Sequence, residues 1–312
     1  MPTRLTAVVV NALDAQAQTR FWAQALQWQL AQASLPGAQV AVRPADADGI
    51  GLLFICSARP KAAKNRLHLD LAAGPGEEPL VHSLLGLGAV RVDIGQGEVP
   101  WEVLADPEGN EFCVLPEAGT GDRLAAICLD AADPVDQGRF WAAATGWPVV
   151  DQGEWGVSLR SPARARPALV MGPPVAPKRG KNRLYLDLAP YPGDNASAEI
   201  TRLLHAGASR VNIGRGHAPW QMLADPRETS SVPSNPNHPS HRLTDEHSCR
   251  STRISGSYVP EMRKPLVLAR WPDPPPRSRP TRPRADFSGA LKNDPGSKSG
   301  LWHSFRDLSW WG

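Results

Sequence analysis

The chain repeats itself, and the repeat constrains what it can fold into more than any other feature. LTAVVVNALDAQAQTRFWAQALQW (Leu5–Trp28) returns as LAAICLDAADPVDQGRFWAAATGW (Leu124–Trp147). KNRLHLDLA (Lys64–Ala72) returns as KNRLYLDLA (Lys181–Ala189), and PWEVLADP (Pro100–Pro107) as PWQMLADP (Pro219–Pro226). The order is kept throughout. A length of 312 residues suits about two domains, so one unit of roughly 115 residues is written twice in tandem. The expected domains are residues 3–117 and residues 122–226, the second lacking its last strand, with residues 227–312 as a tail.

Each copy has the same coarse pattern. TAVVV is a short strand of β-branched residues. Asp14 in the first copy and Asp133-Pro134 in the second stand where a helix should begin. Phe21, Trp22, Ala25 and Leu26 then share one helical face. Weaker strands follow, ending at GLLFIC in one copy and PALVM in the other. NRLHLDL alternates as a strand, with Leu67, Leu69 and Leu71 on one face and Arg66, His68 and Asp70 on the other. EEPLVHSLLGLGA reads as a second helix ending at Gly86 or Gly88. RVDIG, WEVLADP and EFCVL supply the closing strands. A β-α-β-β-β unit of this kind cannot bury its sheet alone, so two must pair, giving an α+β fold.

Composition narrows the function classes. Apolar residues at 41% and charged residues at 21% place the chain among soluble globular proteins. No apolar run approaches the roughly 18 residues needed to cross a bilayer, so no membrane partner is expected. The start, MPTRLTAVVVNALDAQ, reads as a first strand and not as a signal peptide. Cys56, Cys113, Cys128 and Cys249 have no paired spacing, which fits a reduced, cytoplasmic setting. The net charge of +3 is concentrated at the end. From Arg227 onward there are 14 Lys+Arg against 8 Asp+Glu, leaving 20 against 23 before it. The repeated part is mildly acidic and has no basic stripe, which excludes nucleic-acid binding there.

FWAQALQW, KNRLHLDL and VLADPEGNEFCVL together resemble the glyoxalase-like branch of the vicinal oxygen chelate superfamily, across roughly residues 3–226 of this chain. The resemblance implies paired β-α-β-β-β modules forming a curled sheet around a cleft that takes a small molecule. It also implies metal ligands on the first and last strands of a module. In the first copy these positions fall on His68 and Glu111, which would hold one divalent metal (Zn, Ni, Mn or Fe), with Glu111 as ligand or catalytic base. The alternative reading leaves His68 as a cleft residue bonded to Asp70 or Glu111 with no metal.

The matching position of the first module is Ala7, and GLLFIC ends without a carboxylate or imidazole. Cys113 reads as buried filler. Arg66, Asp70 and Trp101 would line the first cleft; Arg183, Tyr185, Asp187 and Trp220 would line the second, where Tyr185 replaces the histidine. Function is thereby expected to be either a metal-assisted lyase, isomerase or dioxygenase, or a non-catalytic ligand-binding or drug-sequestration protein. The superfamily also allows a homodimer.

The second copy breaks off abruptly. After LADP the first copy continues EGNEFCVL, and the second continues RETSSVPSNPNHPSHR. Codons for Arg227–Val232 can be chosen as CGG GAA ACG AGT TCT GTN. Read from the third base, they give Gly-Asn-Glu-Phe-Cys, the missing motif. The proline-rich stretch that follows has no sustained period and is expected to be disordered. The expectation is a single-base deletion near codon 227, and resequencing the gene across Pro226–Val232 checks it. Codons that do not encode the motif when shifted would remove the basis of that expectation.

Overall fold

The structure is a computed structural model. It describes residues 2–226, apart from 32–37, 46–48, 75–77, 117–121, 164–166, 175–181 and 212–220. The tail, its expected disorder and Trp220 lie outside the described residues.

The first copy folds as β1 (Arg4–Ala12), α1 (Ala15–Leu26), β2 (Gln29–Ala31), β3 (Ala38–Arg43) and β4 (Gly51–Cys56). It continues with β5 (Leu67–Ala72), α2 (Glu78–Gly86), β6 (Val90–Arg91), β7 (Glu102–Ala105) and β8 (Glu111–Leu115). The second copy gives β9 (Leu124–Asp130), α3 (Pro134–Thr145), β10 (Val149–Gly153), β11 (Gly156–Arg160) and β12 (Ala168–Gly172). Then come β13 (Leu184–Ala189), α4 (Ala196–His205), β14 (Ser209–Arg210) and β15 (Leu223–Ala224). None of the described helices is long and apolar enough to cross a membrane.

The helix starts form where the carboxylates are. Asp14 accepts a hydrogen bond from the Ala17 N–H at 2.9 Å, and Asp133 accepts one from the Asp136 N–H at 3.0 Å. Both satisfy donors that a helix N-terminus otherwise leaves open. Asp133 is followed by Pro134 in the first turn, where proline's lost N–H costs nothing.

Within the first three modules the first and last strands lie parallel, joined through the helix: β1 with β4, β5 with β8, β9 with β12. Between modules, however, pairing crosses the repeat. β5 of the first copy pairs antiparallel with β9 of the second, with Leu69 opposite Ile127, and β1 pairs antiparallel with β13, with Val9 opposite Tyr185. The second and third modules therefore make one eight-stranded sheet, β10-β11-β12-β9-β5-β8-β7-β6. The first and fourth make a five-stranded sheet, β13-β1-β4-β3-β2. Both copies belong to one compact unit.

Leucines on one face of β5 and β9 feed a single core shared by both sheets. Leu69, Leu71, Leu124 and Ile127 are almost wholly buried, together with Phe54, Phe112 and Leu169. Burial of each such side chain stabilises by about 1.5–3 kcal/mol. Phe21 and Trp22 of α1 meet Phe112 of β8 edge-on, with centroids 6.2 and 5.2 Å apart. These contacts tie the first module's helix to the second module's sheet.

The DPEGN turn before β8 is held from several sides. Asp106 Oδ1 accepts from the Glu108 and Asn110 N–H groups, each at 2.9 Å, while Oδ2 accepts from the Trp22 indole at 3.1 Å and the Asn110 amide at 2.8 Å. Gly109 closes the turn at φ 80°, a conformation that glycine adopts without cost. Burial pushes the Asp106 carboxyl up from its ordinary range, against the downward pull of these donors. Asp106→Ala strands buried donors, each worth about 1–3 kcal/mol when left unpaired. Urea denaturation of the variant is expected to show a loss of about 3 kcal/mol. A loss within about 0.5 kcal/mol, the range of surface substitutions, would mean the turn does not depend on Asp106.

Candidate functional site

The face of the eight-stranded sheet turned away from the core collects the polar side chains. Alternation along β5 puts His68 and Asp70 on this face, opposite the buried leucines. The β5–β8 register sets Asp70 beside Cys113, and the β5–β9 register sets His68 beside Cys128 and Asp70 beside Ala126. Asp70 thus sits at a crossing, with a thiol on each neighbouring strand.

The distances confirm the convergence. Cys128 Sγ donates to Asp70 Oδ2 at 3.0 Å, and Cys113 also hydrogen-bonds Asp70. His68 Nε2 lies 3.5 Å from Asp70 Oδ1. That Oδ1 is buried and has no hydrogen-bond partner. One donor atom each from His68, Asp70 and Cys113 fall within 4.8 Å of one another. Burial, then the charge of Asp70, pushes both thiols well above their ordinary range, with Lys64 pulling Cys113 partly back. Left as they are, these thiols stay protonated and are poor nucleophiles. Imidazole, carboxylate and thiol together are a donor set that suits a transition-metal ion, and the unpaired buried oxygen fits such a ligand position.

Glu111 lies on the same strand as Cys113 but is engaged elsewhere. Its carboxylate takes Lys61 Nζ at 2.5 Å and the Asn65 N–H at 3.2 Å. It is not part of the His68, Asp70 and Cys113 group. Lys64 pairs with Asp130 at 2.8 Å, and Arg66 donates to the Asp130 carbonyl at 2.6 Å. Lys61, Lys64 and Arg66 therefore stand together at the start of β5, tied to partners on β8 and β9. Toward β12 the same face becomes small and apolar, with Ala126, Cys128, Ala168 and Val170 in contact.

Of the remaining residues singled out in the sequence, Tyr185 and Asp187 line one cavity together with Arg66, while Arg183 and Trp101 stand elsewhere. Tyr185 and Asp187 are on β13, in the other sheet. Tyr185 packs on Ala7, Val9, Ala41 and Leu53; Asp187 accepts from the Thr6 hydroxyl at 2.6 Å, and burial raises its carboxyl. Arg183 is buried in an ion pair with Glu108 and donates to the Arg59 carbonyl at 2.9 Å. It works as a tie between the copies, because Glu108 also caps α1 by accepting the Leu13 and Asp14 N–H groups. Trp101 lines a shallow recess with Arg91, Asp93, Glu98 and Glu102, apart from the His68 group.

Sequence reasoning passed over Cys128, Lys61 and Lys64. The alternation in LAAICLD puts Cys128 on the outward face, a signal that was present. Its placement beside His68 depends on strand pairing, which the sequence does not state.

Both copies, over residues 7–115 and 126–230, match the glyoxalase-like domain family. Among solved structures, a single-site variant of glyoxalase I from Zea mays superposes with a TM-score of 0.50 at 12% identity, over 67% of this chain and 83% of that one. Zea mays glyoxalase I itself gives 0.49 at 12% identity over the same shares. A putative dioxygenase from Bacillus subtilis gives 0.44 at 13% identity, over 68% of this chain and 78% of that one. No curated protein matches the chain. Likeness at such identity speaks to the fold, whereas the two family matches span most of the chain: it belongs to the glyoxalase-like domain family, which it carries twice in tandem.

Proposed function

We propose that this is a small-molecule-binding protein whose working cleft is the outward face of the eight-stranded sheet, and that the cleft holds one divalent metal in a metal-assisted enzyme of the glyoxalase-like class. The observation that carries this reading is the buried Oδ1 of Asp70, which has no hydrogen-bond partner and lies beside His68 and Cys113. His68 Nε2, Asp70 Oδ1 and Cys113 Sγ would hold the ion, with Cys128 Sγ steadying the other oxygen of Asp70. Three protein ligands with a position to spare is the catalytic pattern. Thiol donors favour Zn, Ni or Fe over Mn. Such an ion supplies Lewis-acid polarisation of substrate oxygens.

The chain's own residues would do the rest. Lys61, Lys64 and Arg66 draw an anionic or oxygen-rich substrate to the mouth of the cleft. Glu111, held by Lys61, is placed to take a proton once substrate competes for that lysine. The small apolar patch of Ala126, Ala168 and Val170 gives the substrate's carbon skeleton a seat. Reduced thiols at the centre suit a reducing, cytoplasmic compartment.

A second reading is sequestration without metal. It is favoured by Glu111, the ligand that the family resemblance implies, being engaged by Lys61.

Titration of the full chain with Co²⁺ separates the two. The metal reading expects saturable binding with a thiolate-to-cobalt charge-transfer band. Cys113→Ser should abolish the band, and His68→Ala and Asp70→Asn should each weaken binding by about tenfold or more. Glu111→Gln should leave the affinity nearly unchanged. Absence of both band and binding would contradict the metal reading and leave sequestration.

A further inference from the structure

We infer that the free edge of β13, with the groove beside it, is a strand-accepting slot, and that its occupant is an extended segment of sequence Glu-Gly-Asn-Glu-Phe-Cys. The first copy supplies the template. There β8 lies between β5 and β7, parallel to one and antiparallel to the other, with Phe112 opposite both Leu69 and Leu104 and Val114 opposite Leu71. The repeat makes Leu186, Leu188 and Leu223 the counterparts of Leu69, Leu71 and Leu104. Among the described residues no strand lies between β13 and β15. Among these residues β13 is the edge of its sheet, and β14 and β15 stand apart as a two-stranded ladder.

The slot has the shape and the unmet chemistry of a strand that is wanting. Leu69 and Leu71 are 2% and 0% exposed, whereas Leu186, Leu188 and Leu223 are only partly buried. A cavity of about 200 Å³ opens at this place, lined by Trp141, Leu184, Leu186, Leu203, Met222 and Leu223 among others. In the first copy the Trp22 indole donates to Asp106 in the turn that leads into β8. Its counterpart, Trp141, is buried with an indole N–H that has no partner. The edge of β13 meanwhile offers main-chain groups to any chain that can pair with it.

The occupant's identity comes from the sequence that follows Pro226. With AGG chosen for Arg227, the residues Arg-Glu-Thr-Ser-Ser-Val can be encoded by AGG GAA ACG AGT TCT GTN. Restoring one G in front gives GAG GGA AAC GAG TTC TGT, which is Glu-Gly-Asn-Glu-Phe-Cys, the residues at 108–113 of the first copy. Its alternation puts Phe toward Leu186 and Leu223, and Glu and Cys on the opposite face. Recognition is thus strand addition, with main-chain bonds for affinity and alternate side chains for register.

The test adds a synthetic peptide copying residues 106–116 to the full chain under reducing conditions. Calorimetry should show saturable binding at one peptide per chain, thermal melting should shift upward, and the Trp141 indole N–H resonance should move. The same peptide carrying Phe112→Ser and Val114→Ser should do none of these. In a second protein, Arg227–Ser234 is replaced by Glu-Gly-Asn-Glu-Phe-Cys-Val-Leu; it should melt higher than the parent and no longer bind the peptide. No binding by the parent chain, or equal binding by parent and repaired chains, would overturn the assignment.

Discussion

Leu67–Leu71 of the first copy lie against Leu124–Leu129 of the second in an antiparallel seam, and the site and the core both depend on it. On one face the seam sets Leu69 opposite Ile127, both buried in the common core. On the other face it brings Cys128 to His68 and Asp70. Without this pairing the second copy would contribute nothing to the polar cluster, and β5 would present an open edge. Such units have to find a partner module, and here the chain provides it internally, across the repeat.

The consequence, among the described residues, is two unequal sheets beside the small β14–β15 ladder. The eight-stranded sheet is complete on both sides of its seam, and it carries the convergent donors. The five-stranded sheet has the corresponding seam between β1 and β13, with Arg183 and Glu108 joining the copies across it. There the described part of the fourth module ends at Pro226. Its α4 and the β14–β15 ladder remain, yet the strand that would join them to β13 is not among the described elements. The face near Tyr185 is correspondingly apolar, built from Ala7, Val9, Ala41 and Leu53. The convergent donors His68, Asp70 and Cys113 thus all lie in one sheet.

Much of this was legible in the residues. The alternation of NRLHLDL separated the leucines from His68 and Asp70 correctly, because a half-buried strand imposes a period of two. Asp14 and Asp133 marked the helix starts because their carboxylates satisfy open donors. RVDIG (residues 91–95), read as a strand, contributes only Arg91 to β6, which begins one residue earlier at Val90. Which modules pair was not legible, since repeated strands have the same alternation and no pattern distinguishes β9 from β1 as the partner of β5. Glu111 was assigned by resemblance to the company of His68. The structure gives that carboxylate to Lys61, which lies in a loop without periodicity. The position next to His68 and Asp70 is taken by Cys113, whose alternation with Phe112 was visible but whose apolar character made it read as filler.

The seam is tested most directly by expressing residues 1–121 alone and measuring near-UV circular dichroism together with sedimentation. If the copies depend on each other through β5–β9 and β1–β13, the fragment is not a folded monomer: it either lacks fixed tertiary structure or sediments as a dimer that rebuilds the seams. A folded monomeric fragment would show that each copy closes on itself, and would contradict pairing across the repeat.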